Sequence, residues 1–233
     1  MLHELIKDLQ NAKNLEQAKL LQRFFKTGKG EYGEGDVFLG IKVPVTREIA
    51  KKYTGLNLKG VETLLASKIH EYRLAGLLIL VDKFKKANEQ GKGNIFNFYL
   101  KNTKNINNWD LVDLTSHKIV GEFLKEKKRD KLYELAQSTS LWEKRISIIS
   151  CFAYIKDEDF KDALRISEML LKDSHDLIHK AVGWVLREIG KKDIKVLEDF
   201  LRKHYKKMPR TMLRYAIEKF PEVKRKAYLN GKI

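Results

Sequence analysis

The stretch Tyr72-Arg73-Leu74-Ala75 has four counterparts further along the chain: Val112-Asp113-Leu114-Thr115, Lys144-Arg145-Ile146-Ser147, His179-Lys180-Ala181-Val182 and Leu213-Arg214-Tyr215-Ala216. In four of the five a cation stands near the start of a strongly apolar run, and the aligned positions 73, 113, 145, 180 and 214 lie 32 to 40 residues apart. That interval is the length of one helix–turn–helix unit in a stacked array, where each repeat buries its apolar face against its neighbours. Elsewhere Leu2, Leu5, Ile6 and Leu9, then Ala18, Leu21, Phe24 and Phe25, then Ile146, Ile149 and Ala153 recur at helical intervals. Alternating runs bounded by turns, the mark of half-buried strands, are missing. Breaks fall at Gly28 to Asp36, Val43-Pro44, Lys59-Gly60, Gly91 to Asn94, Gly190-Lys191 and Met208-Pro209, each expected to end one helix or begin another. The expected fold is all-α: a right-handed α-solenoid of helix pairs with a basic concave face. No Pro/Ser-rich linker divides the chain, so residues 1–233 are read as one domain.

The charge fits such a face. Forty-seven Lys and Arg against 31 Asp and Glu give a formal net charge of +16, and the pI is about 9.7. Cations that neutralise phosphates release condensed counterions, so this balance favours a nucleic-acid partner. No apolar run approaches the ~20 residues of a membrane span, and Met1-Leu2-His3-Glu4 carries no signal-peptide pattern. Cys151 is the single cysteine, which excludes an internal disulfide and fits a cytoplasmic setting. The candidate phosphate contacts are Lys26, Arg47, Arg73, Lys144, Lys180, Arg187, Arg210 and Arg214. Each of them taken singly is equally well read as part of a solvated helical surface.

One repeat breaks the row of cations, placing Asp113 where the others have Arg or Lys. On the repeat alone, a local salt bridge or a helix-start acid favoured by the macrodipole accounts for it equally well. Trp109, however, precedes Asp113 by four residues and shares its helix face, and Trp184 follows Lys180 by four. Arg145 takes the cationic position of the third repeat, three residues after Trp142. Tryptophans at helical spacing are more often core residues, but two that align with the odd carboxylate point to a site.

The segments Trp109-Asp110-Leu111-Val112-Asp113, Trp142 to Arg145 and Lys180-Ala181-Val182-Gly183-Trp184-Val185-Leu186-Arg187-Glu188 resemble the AlkD family, bacterial DNA alkylation-repair glycosylases built from HEAT-like repeats. Phe38-Leu39-Gly40-Ile41 and Pro44 to Arg47 extend the match. The resemblance implies an enzyme that releases N3- or N7-alkylated purines from double-stranded DNA; no cofactor or metal is expected, no lysine is placed as a Schiff-base nucleophile, so strand cleavage is not expected, and a monomer is the default at this size. It also implies that Asp113 is the catalytic carboxylate, that Trp109 and Trp184 cradle the damaged nucleotide, and that Arg145 contacts DNA beside the lesion. Phe24 stands where the family often has tyrosine, so a hydroxyl contact is lost there, and the insert Gly28 to Asp36 is longer than the repeat requires. Two other readings use the same fold: a basic solenoid that holds nucleic acid without chemistry, and a scaffold that offers its grooves to proteins.

Other signals carry less. Gly28-Lys29-Gly30-Glu31-Tyr32-Gly33 spells a dinucleotide fingerprint, but a helix precedes it where a strand is required, and acids surround it. His175 and His179 have metal-ligand spacing without a third ligand or a general-base glutamate, so His175 is read as preceding or capping a helix. Cys151 lies in an apolar run, as an inert buried thiol does.

Overall fold

The computed structural model describes residues 1–233 as helices and turns; the one β feature is an isolated bridge between Val37 and Ile69. In chain order the helices are α1 (Leu2–Asn11), α2 (Leu15–Phe24), α3 (Val43–Lys51), α4 (Leu58–Leu65), α5 (His70–Lys86), α6 (Glu89–Lys101), α7 (Trp109–Ser116), α8 (Glu122–Leu124), α9 (Asp130–Ala136), α10 (Leu141–Ser150), α11 (Phe152–Ile155), α12 (Lys161–Met169), α13 (Asp176–Lys192), α14 (Ile194–His204), α15 (Arg210–Ala216) and α16 (Glu222–Leu229). A π-helical turn, His117–Gly121, follows α7 directly. The chain forms two compact units, Met1–Thr115 and Ser116–Ile233. No helix is long and apolar enough to cross a membrane.

The repeat seen in the sequence is a repeat of helix pairs. The aligned positions 73, 113, 145, 180 and 214 fall on α5, α7, α10, α13 and α15, three residues after the first residue of α5 and four after the first residue of each of the others. Three of these helices are packed on by a shorter helix that precedes them: α4 on α5, α9 on α10 and α12 on α13. The HEAT-like, all-α reading of the sequence therefore holds.

In the first unit α5 is central. Thirteen of its 17 residues are buried, so it is apolar nearly all round and is covered by α3, α4 and α6. Its first turn is the exception: His70, Glu71 and Arg73 are 2%, 1% and 3% exposed. Glu71 accepts hydrogen bonds from the amides of Leu39, Gly40 and Ile41 at 2.9, 2.8 and 3.1 Å, fixing the segment that leads into α3. Gly40 sits there at φ +86°, and a Cβ would lie 2.0 Å from the Asn14 carbonyl oxygen, so both the conformation and the close approach to α2 require glycine.

In the second unit α10 and α13 form the core. Ile146, Ile148 and Ile149 on one, and Ile178, Ala181, Val182, Val185, Leu186 and Ile189 on the other, are fully buried, each large side chain contributing ~1.5–3 kcal/mol by leaving water. Helix α13 meets α15 so closely that a Cβ on Gly183 would lie 2.5 Å from both the Met212 carbonyl oxygen and the Tyr215 Cβ.

The expected breaks lie at or near helix ends. Lys59-Gly60 and Gly91 to Asn94 lie just inside two helix starts, in the early turns of α4 and α6. The true starts are one residue before each helix, where Asn57 and Asn88 side chains accept from the amides of Gly60 and Gly91, both at 2.9 Å. Those glycines supply the amide that the cap satisfies. His175 caps α13 as read, its Nδ1 accepting from the Leu177 amide at 3.1 Å. The insert Gly28 to Asp36 is a chain of turns closed by Gly33 N to Lys26 O and Asp36 N to Gly33 O, both 3.1 Å.

Two outcomes follow. Gly183→Ala forces α13 and α15 apart and costs about 1–3 kcal/mol, read as a lower urea midpoint at unchanged slope. Glu71→Gln keeps the shape but removes the charge and turns one of the two accepting oxygens into a donor that faces a backbone amide, and costs about 1.5–3 kcal/mol; a midpoint unchanged from the wild type would contradict the role given to Glu71.

Candidate functional site

Helix α7 begins with Trp109 and carries Asp113 one turn later, so the two side chains share a face. Both are half-buried. Trp109 lies against an aromatic column. Its ring is stacked on Phe25 at 5.0 Å and 13°, Phe25 is stacked on Phe38 at 4.9 Å, and Phe38 is stacked on His70 at 4.5 Å. Phe24, at the end of α2 and 63% exposed, meets Trp109 edge-on at 5.9 Å. The indole is thus a braced platform with part of its surface open.

Below the column lies a buried group of charges that the sequence reading missed. His70 Nε2 is 2.8 Å from Asp110 Oδ2, and His70 Nδ1 is 3.4 Å from Asp36 Oδ2. The same Asp36 oxygen receives Asn108 Nδ2 at 3.2 Å and Arg73 Nη2 at 2.6 Å. Burial works against a charge on His70, but Asp110 and Asp36 outweigh it and raise its pKa to about 9. Burial likewise opposes charge on Asp36, yet the His70 hydrogen bond and Arg73 hold its carboxyl below the usual value. Tyr99 packs nearby with its hydroxyl 3.0 Å from Thr115 Oγ1; burial, with the charge of Asp113 behind it, pushes its phenol up and keeps it neutral. The only local hint in the sequence was the density of ionisable residues in His70-Glu71-Tyr72-Arg73, ahead of the apolar run Leu74 to Val81.

In the second unit Trp184 is half-buried on α13, its ring 4.7 Å from Phe152, which in turn meets His117 edge-on. Arg145 is 4% exposed and donates to the carbonyl of Leu177, tying α10 to the start of α13.

The basic row is less uniform than the alignment suggested. Arg73 is buried, paired with Asp36 and donating to the Ser67 carbonyl at 2.8 Å. Arg145 is buried as well. Lys144 pairs with Asp173 and Lys180 with Asp176, each at 2.7 Å, and Arg187 pairs with Glu218 and Glu188. Lys26, Arg210 and Arg214 are exposed, and Arg47 is half-buried on α3. Lys26 adopts φ +51°, the left-handed turn that ends α2.

A search of curated proteins finds no match. Among solved structures, the chain is similar to an Enterococcus faecalis protein described as a predicted DNA alkylation repair enzyme, with 15% identity, a TM-score of 0.70, and coverage of 90% of this chain and 97% of the other. It is also similar to AlkD2 from Streptococcus mutans, at 19% identity and a TM-score of 0.56 over 89% of this chain and 98% of the other. A third, smu.31 from Streptococcus mutans UA159, gives 18% identity and 0.56 over 88% and 100%. At such identities these likenesses speak for the fold alone. A family model described as DNA alkylation repair enzyme matches residues 5–220, nearly the whole chain, and the protein accordingly belongs to that family.

Proposed function

We propose that this protein is a DNA glycosylase that hydrolyses the N-glycosidic bond of positively charged N3- or N7-alkylated purines in duplex DNA, leaving an abasic site. The observation that carries the reading is the Trp109–Asp113 pair: a half-exposed indole and a carboxylate on one face of α7, in a chain of the DNA alkylation repair family.

The chemistry suits those two side chains. Alkylation at N3 or N7 makes the purine cationic, so the bond between C1′ and N9 can break with its electron pair going to the base and no prior protonation. What needs help is the positive charge that develops on the sugar. An ionised Asp113 stabilises charge where it forms, and it accepts a proton from the water whose oxygen bonds to C1′. Trp109, braced by Phe25 and Phe24, offers a ring face that attracts a cationic nucleotide and packs against deoxyribose. Trp184 is assigned the second such face. Among the cations, Lys26, Arg47, Arg210 and Arg214 are assigned to backbone phosphates. Lys144, Lys180 and Arg187 reach a phosphate by exchanging their present carboxylate partners. Arg73 is excluded by burial, and Arg145 is assigned to holding α10 on α13. Phosphate contacts carry no base information, so binding is independent of sequence.

The test is release of free base from a duplex carrying one N7-methylguanine. The wild type releases it; Asp113→Asn slows single-turnover release by about 10²-fold or more while binding the duplex at least as tightly. Equal release by the variant would remove Asp113 from the mechanism. No release by the wild type, with affinity that falls steeply with salt, would favour the non-catalytic nucleic-acid-binding alternative.

A further inference from the structure

We propose that His70, as an imidazolium held between Asp36 and Asp110, is a positioning residue for the reaction assigned to Asp113, because it fixes the first turn of α7. The inference rests on the glycosylase reading for its kinetic consequence, though not for its geometry.

The geometry requires the second proton. A neutral imidazole has one N–H and one lone pair, yet both ring nitrogens of His70 face carboxylate oxygens, at 2.8 Å and 3.4 Å, in a site 2% exposed. Only the imidazolium can donate to both. The groups that face it are Asp110 from α7, Asp36 from the end of the insert, and Arg73 from its own helix, whose Nη2 is 2.6 Å from Asp36. Phe38 and Phe25 lie against the ring, and Glu71 is turned to the amides of 39–41. With His70 protonated, two cations balance two anions. Without the proton, a negative charge is left buried and one carboxylate faces a lone pair.

The position of the active face depends on that balance. Asn108 and Asp110 flank Trp109 and both belong to the cluster, Asn108 through Asp36 and Asp110 through His70. Asp113 follows Asp110 by three residues, roughly 4.5 Å along the helix. The ring column from His70 through Phe38 and Phe25 ends on Trp109. Releasing the first turn of α7 therefore moves both the carboxylate and the indole, and small misplacements of reacting groups cost large factors in rate.

The sign follows from the direction of the shift. His70 is raised from its ordinary 6.5 to about 9, so the tie is intact at and below neutral pH and is lost as pH rises through about 9. Asp36, lowered, keeps its contribution above the usual carboxylate range and loses it only in acid.

The protein is titrated with labelled histidine by NMR, with His70→Gln identifying the His70 signals, alongside single-turnover base release across the same pH range. The wild type is expected to show a His70 midpoint near 9 and a rate that falls about tenfold or more through it. Asp110→Asn is expected to move both the midpoint and the rate limb down by about one unit or more, and His70→Gln to abolish the limb and lower the neutral rate. A purely structural role would leave the rate limb in place while the NMR midpoint moves, and that result overturns the proposal. A wild-type midpoint near the ordinary histidine value overturns it too; should His70→Gln not fold, the His70 signals are assigned from their through-space contacts with the Phe38 and Phe25 rings. If the wild type releases no base at any pH, the glycosylase reading fails by itself. The tie is then read from Trp109 fluorescence in a Trp142→Phe, Trp184→Phe background: a change through the His70 midpoint supports it, and a flat signal refutes it.

Discussion

A helix that is apolar on all sides can be buried, but its first turn cannot carry charge into the core without partners. In α5 the first turn holds His70, Glu71 and Arg73, all buried, and the surrounding chain is organised by the need to neutralise them. Glu71 collects three amides from residues 39–41, His70 and Arg73 collect Asp36, and His70 collects Asp110. These ties bring the end of the insert and the start of α7 to one point, and the candidate pair Trp109 and Asp113 rides on the helix so held. Breaking one partner would leave the others charged and unpaired in a dry site, a larger penalty than the pair itself is worth.

The fold was legible because its signal is periodic. Five segments at intervals of 32 to 40 residues mark the second helices of five pairs, and each aligned residue lies three or four positions past the helix start. The Trp109 and Asp113 pair was legible because both lie on one helix, where spacing states which side chains share a face. The cations show the limit of alignment. Alignment places Arg73, Arg145, Lys180 and Arg214 at equivalent points on equivalent helices, but exposure depends on what packs opposite, and the four range from buried to exposed. The charged cluster was illegible for a related reason: its members are 34 and 40 residues apart, and no local pattern marks which acids in the insert or in α7 turn inward.

The second unit handles charge differently. Its core helix α13 buries aliphatic side chains and a glycine, α10 adds three isoleucines beside buried Arg145, Ser147 and Ser150, and ion pairs such as Arg129 with Asp159 and Asp162, Lys144 with Asp173 and Arg187 with Glu218 lie at the margins. Arg129 also lies 3.7 Å over the ring of Tyr154, using its guanidinium as packing surface. Partly exposed pairs of this kind contribute little to stability, so this unit rests on aliphatic packing and on close helix approach at Gly183. Similar folds recur among structures at 15 to 19% identity, as expected when the determinants are periodicity and small residues at contact points.

The insert Gly28 to Asp36 closes on itself. Glu31 and Glu34 accept from the amides of Gly28 and Gly30, and the turn from Gly33 back to Lys26 seals its base before Asp36 begins its duties in the core. Its tip is therefore mechanically separate from its anchor. Lengthening a closed surface loop adds only a slowly growing entropic cost, about 0.6 kcal/mol for each doubling. Residues added at the tip would therefore cost the fold little, while the carboxylate that organises the interior stays in register.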